Sequence, residues 1–136
     1  MAKENINSKE ELQMWYHGTS EQAYISIMEE GFKIIPNIAR RFGNGIYFSD
    51  QQDTEYYGKH TIVADIELNA LTTTPDQWYH IENQLIRQYG NDYSQYISTY
   101  IQDRGYNALI MEWHSGKELV VFDTESIKIM EAAYAN

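Results

Sequence analysis

The chain has 136 residues, 43% of them hydrophobic and 22% charged, with no cysteine, which fits one soluble domain without disulfides or thiolate metal sites. Twenty acidic and ten basic residues give a net charge of −10. This balance argues against tight non-specific binding to nucleic acid, because that binding depends on Lys and Arg neutralising phosphates. The sequence shows no secretory signal and no run of about 20 apolar residues, so we expect a cytoplasmic protein with no membrane contact.

The sequence of the first half of the chain predicts short strands, one longer helix and one short helix. In chain order the predicted elements are a frayed segment (1–12), a strand (12–18), a helix (21–30), a short strand (32–36), a strand (46–49), a short helix (50–58) and a half-buried strand (61–68). Thr19 or Ser20 is expected to cap the first helix by accepting a backbone N–H bond. Gly31 is expected to end that helix, because glycine adopts positive φ freely.

The second half predicts two helices followed by a hairpin. The predicted elements are a helix that starts at a proline (75–89), a helix (94–104), a strand (106–113), a tight turn (114–117), a returning strand (118–122) and a final strand (126–130). Strands at both ends with helices between them indicate an α+β fold with antiparallel pairing in the second half. The hairpin places Glu118 where its strand begins, at the edge of the cleft that the sheet forms. No repeat or linker interrupts the chain, so we predict one domain over residues 1–136.

The stretch RRFGNGIYFSD, residues 40 to 50, sets two glycines against an apolar, aromatic strand. A core strand needs neither Gly43 nor Gly45, and a simple turn does not need Tyr47. The combination indicates a backbone bent tightly enough to offer an aromatic face to a ligand.

Three residues far apart in the sequence are candidates for chemistry: His17, Tyr47 and Glu118. His17 ends a strand and precedes a glycine, Tyr47 lies on the strand that follows the two glycines, and Glu118 precedes an apolar run. Each has a structural explanation when taken alone: a histidine with satisfied hydrogen bonds, a core tyrosine and the polar end of a hairpin. Their combination is more informative than any one of them.

With their neighbours, these residues resemble the ADP-ribosyltransferases of the diphtheria-toxin and poly(ADP-ribose) polymerase type. That family carries a His-Tyr-Glu triad in this order, within HG, G-x-G-I-Y-F and a Glu that opens an apolar strand; here the segments are YHGTS, FGNGIYFSD and KELVVFD. The resemblance covers residues 14–66 and 105–129 and leaves 70–104 unmatched. GYNALI, VVFD and IKI are similar to small bacterial and phage-encoded members, which suggests a toxin or phage protein. The implied fold has split, mixed antiparallel sheets around an NAD⁺ cleft, with flanking helices.

The resemblance implies how NAD⁺ is bound. His17 bonds a ribose hydroxyl of the adenosine half, Gly18 bonds the nicotinamide carboxamide through its backbone, and Tyr47 stacks on the nicotinamide ring. Tyr57, or its neighbour Tyr56, supplies the opposite aromatic wall. The other residues assigned to the cofactor site are Thr19, Gly45, Phe48, Ser49 and Thr54, the last where the family often has a serine that reaches the carboxamide.

Glu118 is the residue expected to carry the reaction. Loss of nicotinamide leaves positive charge on the ribose, and a carboxylate bonded to the 2′-OH stabilises that charge. The family's arginine-modifying branch has Glu or Gln two residues earlier, where this chain has Gly116, so modification of arginine is not expected. We expect a monomer that makes a single transfer to a macromolecular target, a protein rather than a nucleic acid.

Three other functions remain open on the same scaffold. An RNA 2′-phosphotransferase shares the NAD⁺ pocket but needs basic residues that grip phosphate, and the sequence shows no obvious set of these. A glycohydrolase would use water in place of the target, and a binding module would not cleave NAD⁺.

Other residues favour simpler interpretations. The four histidines lack the spacing of a metal site, and the three tryptophans are interpreted as core anchors. One local basic patch is conceivable from residues Lys33, Arg40, Arg41 and Lys59, although solvated charges explain them as well. The loop 37–41 and the helices between 75 and 104 are expected to select the target.

Overall fold

A computed structural model describes residues 13–36, 40–52 and 57–130 of the chain. The predicted frayed segment, residues 37–39 of the loop before Arg40 and residues 53–56 of the predicted helix 50–58 therefore lie outside the described residues. The strands are β1 (Met14–Thr19), β2 (Ile46–Ser49), β3 (His60–Ile66), β4 (Ala70–Thr73), β5 (Ala108–Trp113), β6 (Gly116–Val121) and β7 (Ile127–Ile129). The α-helices are α1 (Glu21–Glu30), α2 (Pro75–Tyr89) and α3 (Ile97–Asp103), with 3-10 helices at Gly90–Tyr96 and Thr124–Ser126.

The strands form one mixed sheet in the order β4-β5-β6-β2-β1-β3-β7. Only β4 and β5 run parallel among the described strands, and the other neighbours are antiparallel. The α+β class is confirmed. The split sheets expected from the resemblance differ from this continuous order.

The sheet is nevertheless weakly joined at one place, between β1 and β2. There the described strands share a single register pair, Tyr16↔Ser49. By contrast, β1 pairs with β3 along its whole length, from Met14 to Thr19. We call this weak junction the seam; it divides the sheet into a first half-sheet (β4, β5, β6, β2) and a second half-sheet (β1, β3, β7).

Two apolar clusters lie on opposite faces of the first half-sheet, because successive residues of a strand point to opposite sides. On one face α2 and α3 pack against β5 and β6, and this cluster contains Phe42, Trp78, Leu85, Ile97, Ile101, Leu109, Met111, Val120 and Phe122. The other cluster draws on both half-sheets and contains Trp15, Ile46, Phe48, Ala64, Ile66, Ala108, Leu119 and Val121. The second cluster therefore holds the two half-sheets together beneath the seam.

The predicted helices 21–30 and 75–89 have the predicted bounds because their ends carry strong local signals. The Ser20 hydroxyl accepts a 3.2 Å bond from Ala23 N–H, and Gly31 ends α1 with φ 84°. At α2, Thr74 and Gln77 form a capping box ahead of the proline. Each cap satisfies backbone N–H groups that have no partner within the helix.

Three elements differ from the predictions. The predicted strand 32–36 is wrong: Phe32 and Ile34 pack on the second cluster, but no strand among the described residues pairs with this segment. Strand β4 was not predicted, since its run of threonines has no clear apolar alternation. The predicted helix 94–104 begins as a 3-10 helix and becomes α-helical only at Ile97.

The ends of the hairpin also shift. Strand β6 begins at Gly116, so Glu118 is its third residue rather than its first. In the part of the chain that the structure describes, no helix has the length and apolar character needed to cross a bilayer.

Candidate active site

The seam opens into a cavity because β1 and β2 separate beyond their single pair. Continuing the register from Tyr16↔Ser49 would set Gly18 opposite Tyr47, yet the described strands do not pair there. The cavity has a volume of about 480 Å³, within the range of small-molecule sites. The predicted site residues that line it are His17, Gly18, Tyr47, Phe48, Ser49, Tyr57 and Glu118.

Two residues assigned to the cofactor lie outside the cavity wall. Thr19 is 8% exposed at the end of β1, where it pairs with His60. Gly45 is buried against β6: a Cβ there would come within 2.7 Å of Val120 Cγ1. Its requirement for glycine comes from this close approach, so direct cofactor binding by Gly45 and Thr19 is not supported by their positions. Thr54 and Tyr56 lie outside the described residues.

His17 bridges the seam. Its Nδ1 lies 2.7 Å from the Tyr47 carbonyl oxygen, and because a carbonyl only accepts, Nδ1 must carry the proton. The ring packs edge-on against Phe32 with centroids 5.1 Å apart. Burial lowers the pKa of His17, with a smaller contribution in the same direction from the Arg40 charge, against the Tyr47 hydrogen bond. The imidazole is therefore neutral at pH 7, and Nε2 is a hydrogen-bond acceptor.

Tyr47 is fixed through its hydroxyl, which leaves its ring for the cavity. The hydroxyl donates a 2.8 Å bond to the Gly43 carbonyl and accepts a 3.0 Å bond from Phe42 N–H. Gly43 has φ 92°, a left-handed conformation that glycine adopts without strain. Burial raises the pKa of Tyr47 to about 12, so the phenol stays protonated. The Arg40 guanidinium carbon lies 5.8 Å from the ring centroid.

Glu118 lies beside Tyr47 on the first half-sheet. It pairs with Ser49 across β2 and β6, so its side chain shares a face with that of Ser49, and both residues line the cavity with Tyr47. Burial raises the pKa of Glu118, while a hydrogen bond from Trp113 and the charge of Arg41 lower it. A half-buried carboxylate next to an aromatic plate is suited to stabilising positive charge in a bound ligand.

The cavity wall also contains residues that sequence reasoning missed. Trp113, interpreted as a core anchor, lines the cavity, whereas Trp15 and Trp78 are 2% and 3% exposed in the two clusters. The cavity also receives Arg40 and Lys117. The alternation of β5 could have indicated Trp113, because it places that residue on the same face as Met111 and, across the hairpin, Glu118.

Asp50 fixes the end of β2 to the start of β6. Its Oδ1 accepts a 2.9 Å bond from Lys117 N–H, and its own N–H donates a 3.1 Å bond to the Lys117 carbonyl. Gly116, at φ 149°, lies so close that a Cβ would come within 2.7 Å of Asp50 Oδ1. Glu118 is thereby held in register with Ser49.

The four candidates for a basic patch behave differently, and Lys59 is exposed just before β3. Arg40 lines the cavity, and Lys33 forms an ion pair with Glu30 on α1. Arg41 lies over the rings of Phe42 and Trp113. Within residues 13–36, 40–52 and 57–130, no group of three or more His, Asp or Glu side chains could hold a metal ion.

Comparison with known proteins gives a partial family match. The family described as "Poly(ADP-ribose) polymerase catalytic domain" matches residues 2–59, which is less than half of the chain. The match includes His17 and Tyr47 and leaves out Glu118. Catalytic domains of this type are ADP-ribosyltransferases that use NAD⁺ as substrate, so the match is consistent with that activity.

The other comparisons add little. No curated protein matches the chain. One solved structure that matches is titled "Crystal structure of an anti-CRISPR protein"; it is 14% identical, with a TM-score of 0.46, and the match covers 86% of this chain and 94% of that chain.

Proposed function

We propose that this protein is a mono-ADP-ribosyltransferase that cleaves NAD⁺ and transfers ADP-ribose to a macromolecule, with release of nicotinamide. One observation carries the proposal: His17, Tyr47 and Glu118 line a single cavity although they come from three separate strands. The family match over residues 2–59 supports the same class of reaction.

The nicotinamide end of NAD⁺ is assigned to the space between Gly18 and Tyr47, where the strands separate. The Tyr47 ring already lies beneath a planar cation, the Arg40 guanidinium. The nicotinamide ring of NAD⁺ is also planar and positively charged, and an aromatic face attracts both through its quadrupole. On the other side of the seam, neutral His17 offers Nε2 as an acceptor for a ribose hydroxyl.

Glu118 is assigned to the ribose whose bond to nicotinamide breaks. When the C1′–N bond breaks, its electron pair leaves with nicotinamide, which neutralises the ring, and the ribose becomes positively charged. The carboxylate accepts a hydrogen bond from the 2′-OH and stabilises that charge. A nucleophile of the target then forms the bond to C1′ and loses its proton to solvent. We further propose a cytoplasmic monomer that modifies protein.

The proposal is tested with NAD⁺ carrying label in two places. Protein is incubated with a cell extract and NAD⁺ labelled either in the adenylate or in the nicotinamide. Adenylate label should enter macromolecules, and nicotinamide label should appear only as free nicotinamide. Free labelled ADP-ribose without labelled macromolecules would indicate a glycohydrolase. If NAD⁺ stays intact, the proposal is wrong.

A further inference from the structure

Trp113 and Glu118 lie on the same face of the β5–β6 hairpin. Glu118 is paired with Met111, and Trp113 is paired with Gly116, so the tryptophan is the diagonal neighbour of the glutamate. Diagonal neighbours in an antiparallel pair are within reach of a large aromatic side chain. The Trp113 indole N–H donates to Glu118 Oε1 at 3.3 Å.

The Trp113 ring is itself supported by Phe42 and Arg41. Its centroid lies 6.4 Å from that of Phe42, and the Arg41 guanidinium carbon lies 5.3 Å from the Trp113 ring and 5.1 Å from the Phe42 ring. Phe42 is 2% exposed, and its N–H donates to the Tyr47 hydroxyl. One buried residue therefore supports both the aromatic plate and the indole that contacts the carboxylate.

We propose that Trp113 is a positioning residue for Glu118, holding one carboxylate oxygen so that the other faces the substrate ribose. The inference deepens the proposed function and rests on it. Burial raises the pKa of Glu118, and the indole N–H opposes that change by bonding the ionised form. Trp113 thus fixes the orientation of the carboxylate and keeps it charged.

Other titratable groups surround the same carboxylate and must be considered in any titration. Those that line the cavity with Glu118 are His17, Arg40, Tyr47, Asp50, Tyr57 and Lys117. The charge of Arg41, which lies over the Trp113 ring, also lowers the pKa of Glu118. A substitution of Trp113 changes none of these groups directly.

The matched pair of variants is Trp113→Phe and Trp78→Phe. Both remove an indole N–H and retain a ring that can pack on Phe42; Trp78 lies 5.8 Å from Phe42 between centroids. The Trp78 Nε1 atom is buried and has no hydrogen-bond partner within the described part of the chain. Trp78→Phe therefore controls for the loss of packing, and Trp113→Phe adds the loss of the bond to Glu118.

The readout is the titration of Glu118 by NMR, using ¹³C-labelled glutamate and the Glu118→Gln variant for assignment. In the wild-type protein the Trp113 indole N–H resonance should shift with the same midpoint as the Glu118 carboxyl. Trp113→Phe should raise the pKa of Glu118, and Trp78→Phe should leave it unchanged. In NAD⁺ turnover, Trp113→Phe should lower kcat roughly 10- to 100-fold, as expected for the loss of a hydrogen bond to a charged group. The acid limb of the pH–rate profile should move to higher pH, and KM should change little.

The inference is overturned if the Trp113 indole resonance does not follow Glu118, or if both tryptophan variants have the same Glu118 pKa. The first measurement uses wild-type protein, so it still tests the inference if Trp113→Phe does not fold. Neither measurement requires catalysis. Absence of NAD⁺ cleavage by the wild-type protein would instead refute the proposed function, so the two failures are distinguishable.

Discussion

The two half-sheets contribute different things to the candidate site. The first half-sheet holds Tyr47 and Glu118 on directly paired strands, β2 and β6, whose register runs from Ile46↔Val121 to Ser49↔Glu118. The second half-sheet contributes His17 and Gly18 from β1. Besides apolar packing in the second cluster, the described residues link β1 to β2 through the Tyr16↔Ser49 register pair and the hydrogen bond of His17 to the Tyr47 carbonyl.

This difference indicates how a cavity can form within a continuous sheet. The groups assigned to stacking and charge stabilisation are fixed relative to each other by backbone pairing. The groups assigned to recognition lie across a seam where pairing stops and a ligand can enter. Burial acts on both sides with opposite results, since it lowers the pKa of His17 and raises the pKa of Glu118. In each case burial disfavours the charged form.

The largest expected effect is on the first half-sheet, in Glu118→Gln. The amide keeps the shape of the side chain but cannot stabilise positive charge on the ribose. We expect nicotinamide release to fall on the order of 10²- to 10³-fold, with the Kd for NAD⁺ changed little. Assays of released nicotinamide at fixed times measure the rate, and calorimetric titration with NAD⁺ measures the Kd.

Glu112→Gln is the control for that substitution. Glu112 is exposed on β5, next to Trp113, and is not part of the cavity. The Glu112→Gln variant should release nicotinamide at the wild-type rate. Equal rates for Glu118→Gln and the wild type would remove Glu118 from the reaction.

A smaller effect is expected at Gly45→Ala, where the backbone lies directly against β6. The added Cβ would lie 2.7 Å from Val120 Cγ1 and 2.7 Å from the Val121 carbonyl oxygen, so β2 must move away from β6. We expect a loss of about 1–3 kcal/mol in the free energy of unfolding and a loss of activity, because Tyr47 moves relative to Glu118.

Gly105→Ala is the control that separates the effect of backbone strain from the effect of the steric clash in Gly45→Ala. Gly105 has φ 88°, and a Cβ added there would meet nothing within 4 Å, so alanine suffers only backbone strain, about 1–2 kcal/mol. Denaturant unfolding and nicotinamide release are measured for both variants. Gly105→Ala should lose stability but keep activity; unchanged activity in Gly45→Ala would show that β2 tolerates the displacement.

The smallest effect is expected across the seam, in His17→Phe. The ring can still pack on Phe32, but the bond to the Tyr47 carbonyl and the Nε2 acceptor are lost. We expect the KM for NAD⁺ to rise roughly 10-fold, as for the loss of one hydrogen bond, with a smaller change in kcat. A change confined to kcat would contradict the recognition role of His17.

His17 also predicts the sign of a pH effect on stability. Its folded pKa lies below the ordinary value of 6.5, so between the two values the unfolded chain binds a proton that the folded chain does not. The stability contributed by neutral His17 is present above pH 6.5 and is lost as the pH falls towards the folded pKa. The Tm of His17→Phe should fall less than that of the wild type between about pH 7.5 and 5.5, whereas parallel curves would contradict this.

Much of the fold could be predicted from local signals. The helix caps at Ser20 and Thr74 set the bounds of α1 and α2, the apolar, aromatic run after Gly45 located β2, and apolar alternation located β3. The segment 32–36 shows the limit of such reasoning: Phe32 and Ile34 alternate as in a strand, but whether a partner strand is present depends on the tertiary fold. Strand β4 pairs in parallel with a strand far along the chain, Thr73 opposite Met111, and no local pattern encodes that pairing.

The candidate site was predictable only in part for the same reason. His17, Tyr47 and Glu118 stand in recognisable sequence surroundings. Trp113 has no such surroundings: the alternation of β5 indicates its face of the sheet, but its place beside Glu118 depends on the register of the β5–β6 hairpin. Gly45 was predicted to allow a tight bend of the backbone that offers Tyr47 to a ligand, whereas in the structure it allows a close approach to β6.

A crystal structure of the Glu118→Gln protein with NAD⁺ would test the assignment of the seam as the NAD⁺ site without any intermediate step. We expect the nicotinamide ring stacked on Tyr47 at the seam, its carboxamide at the Gly18 backbone and its ribose beside residue 118. Dinucleotide bound elsewhere, or a seam that stays empty at saturating NAD⁺, would contradict that assignment.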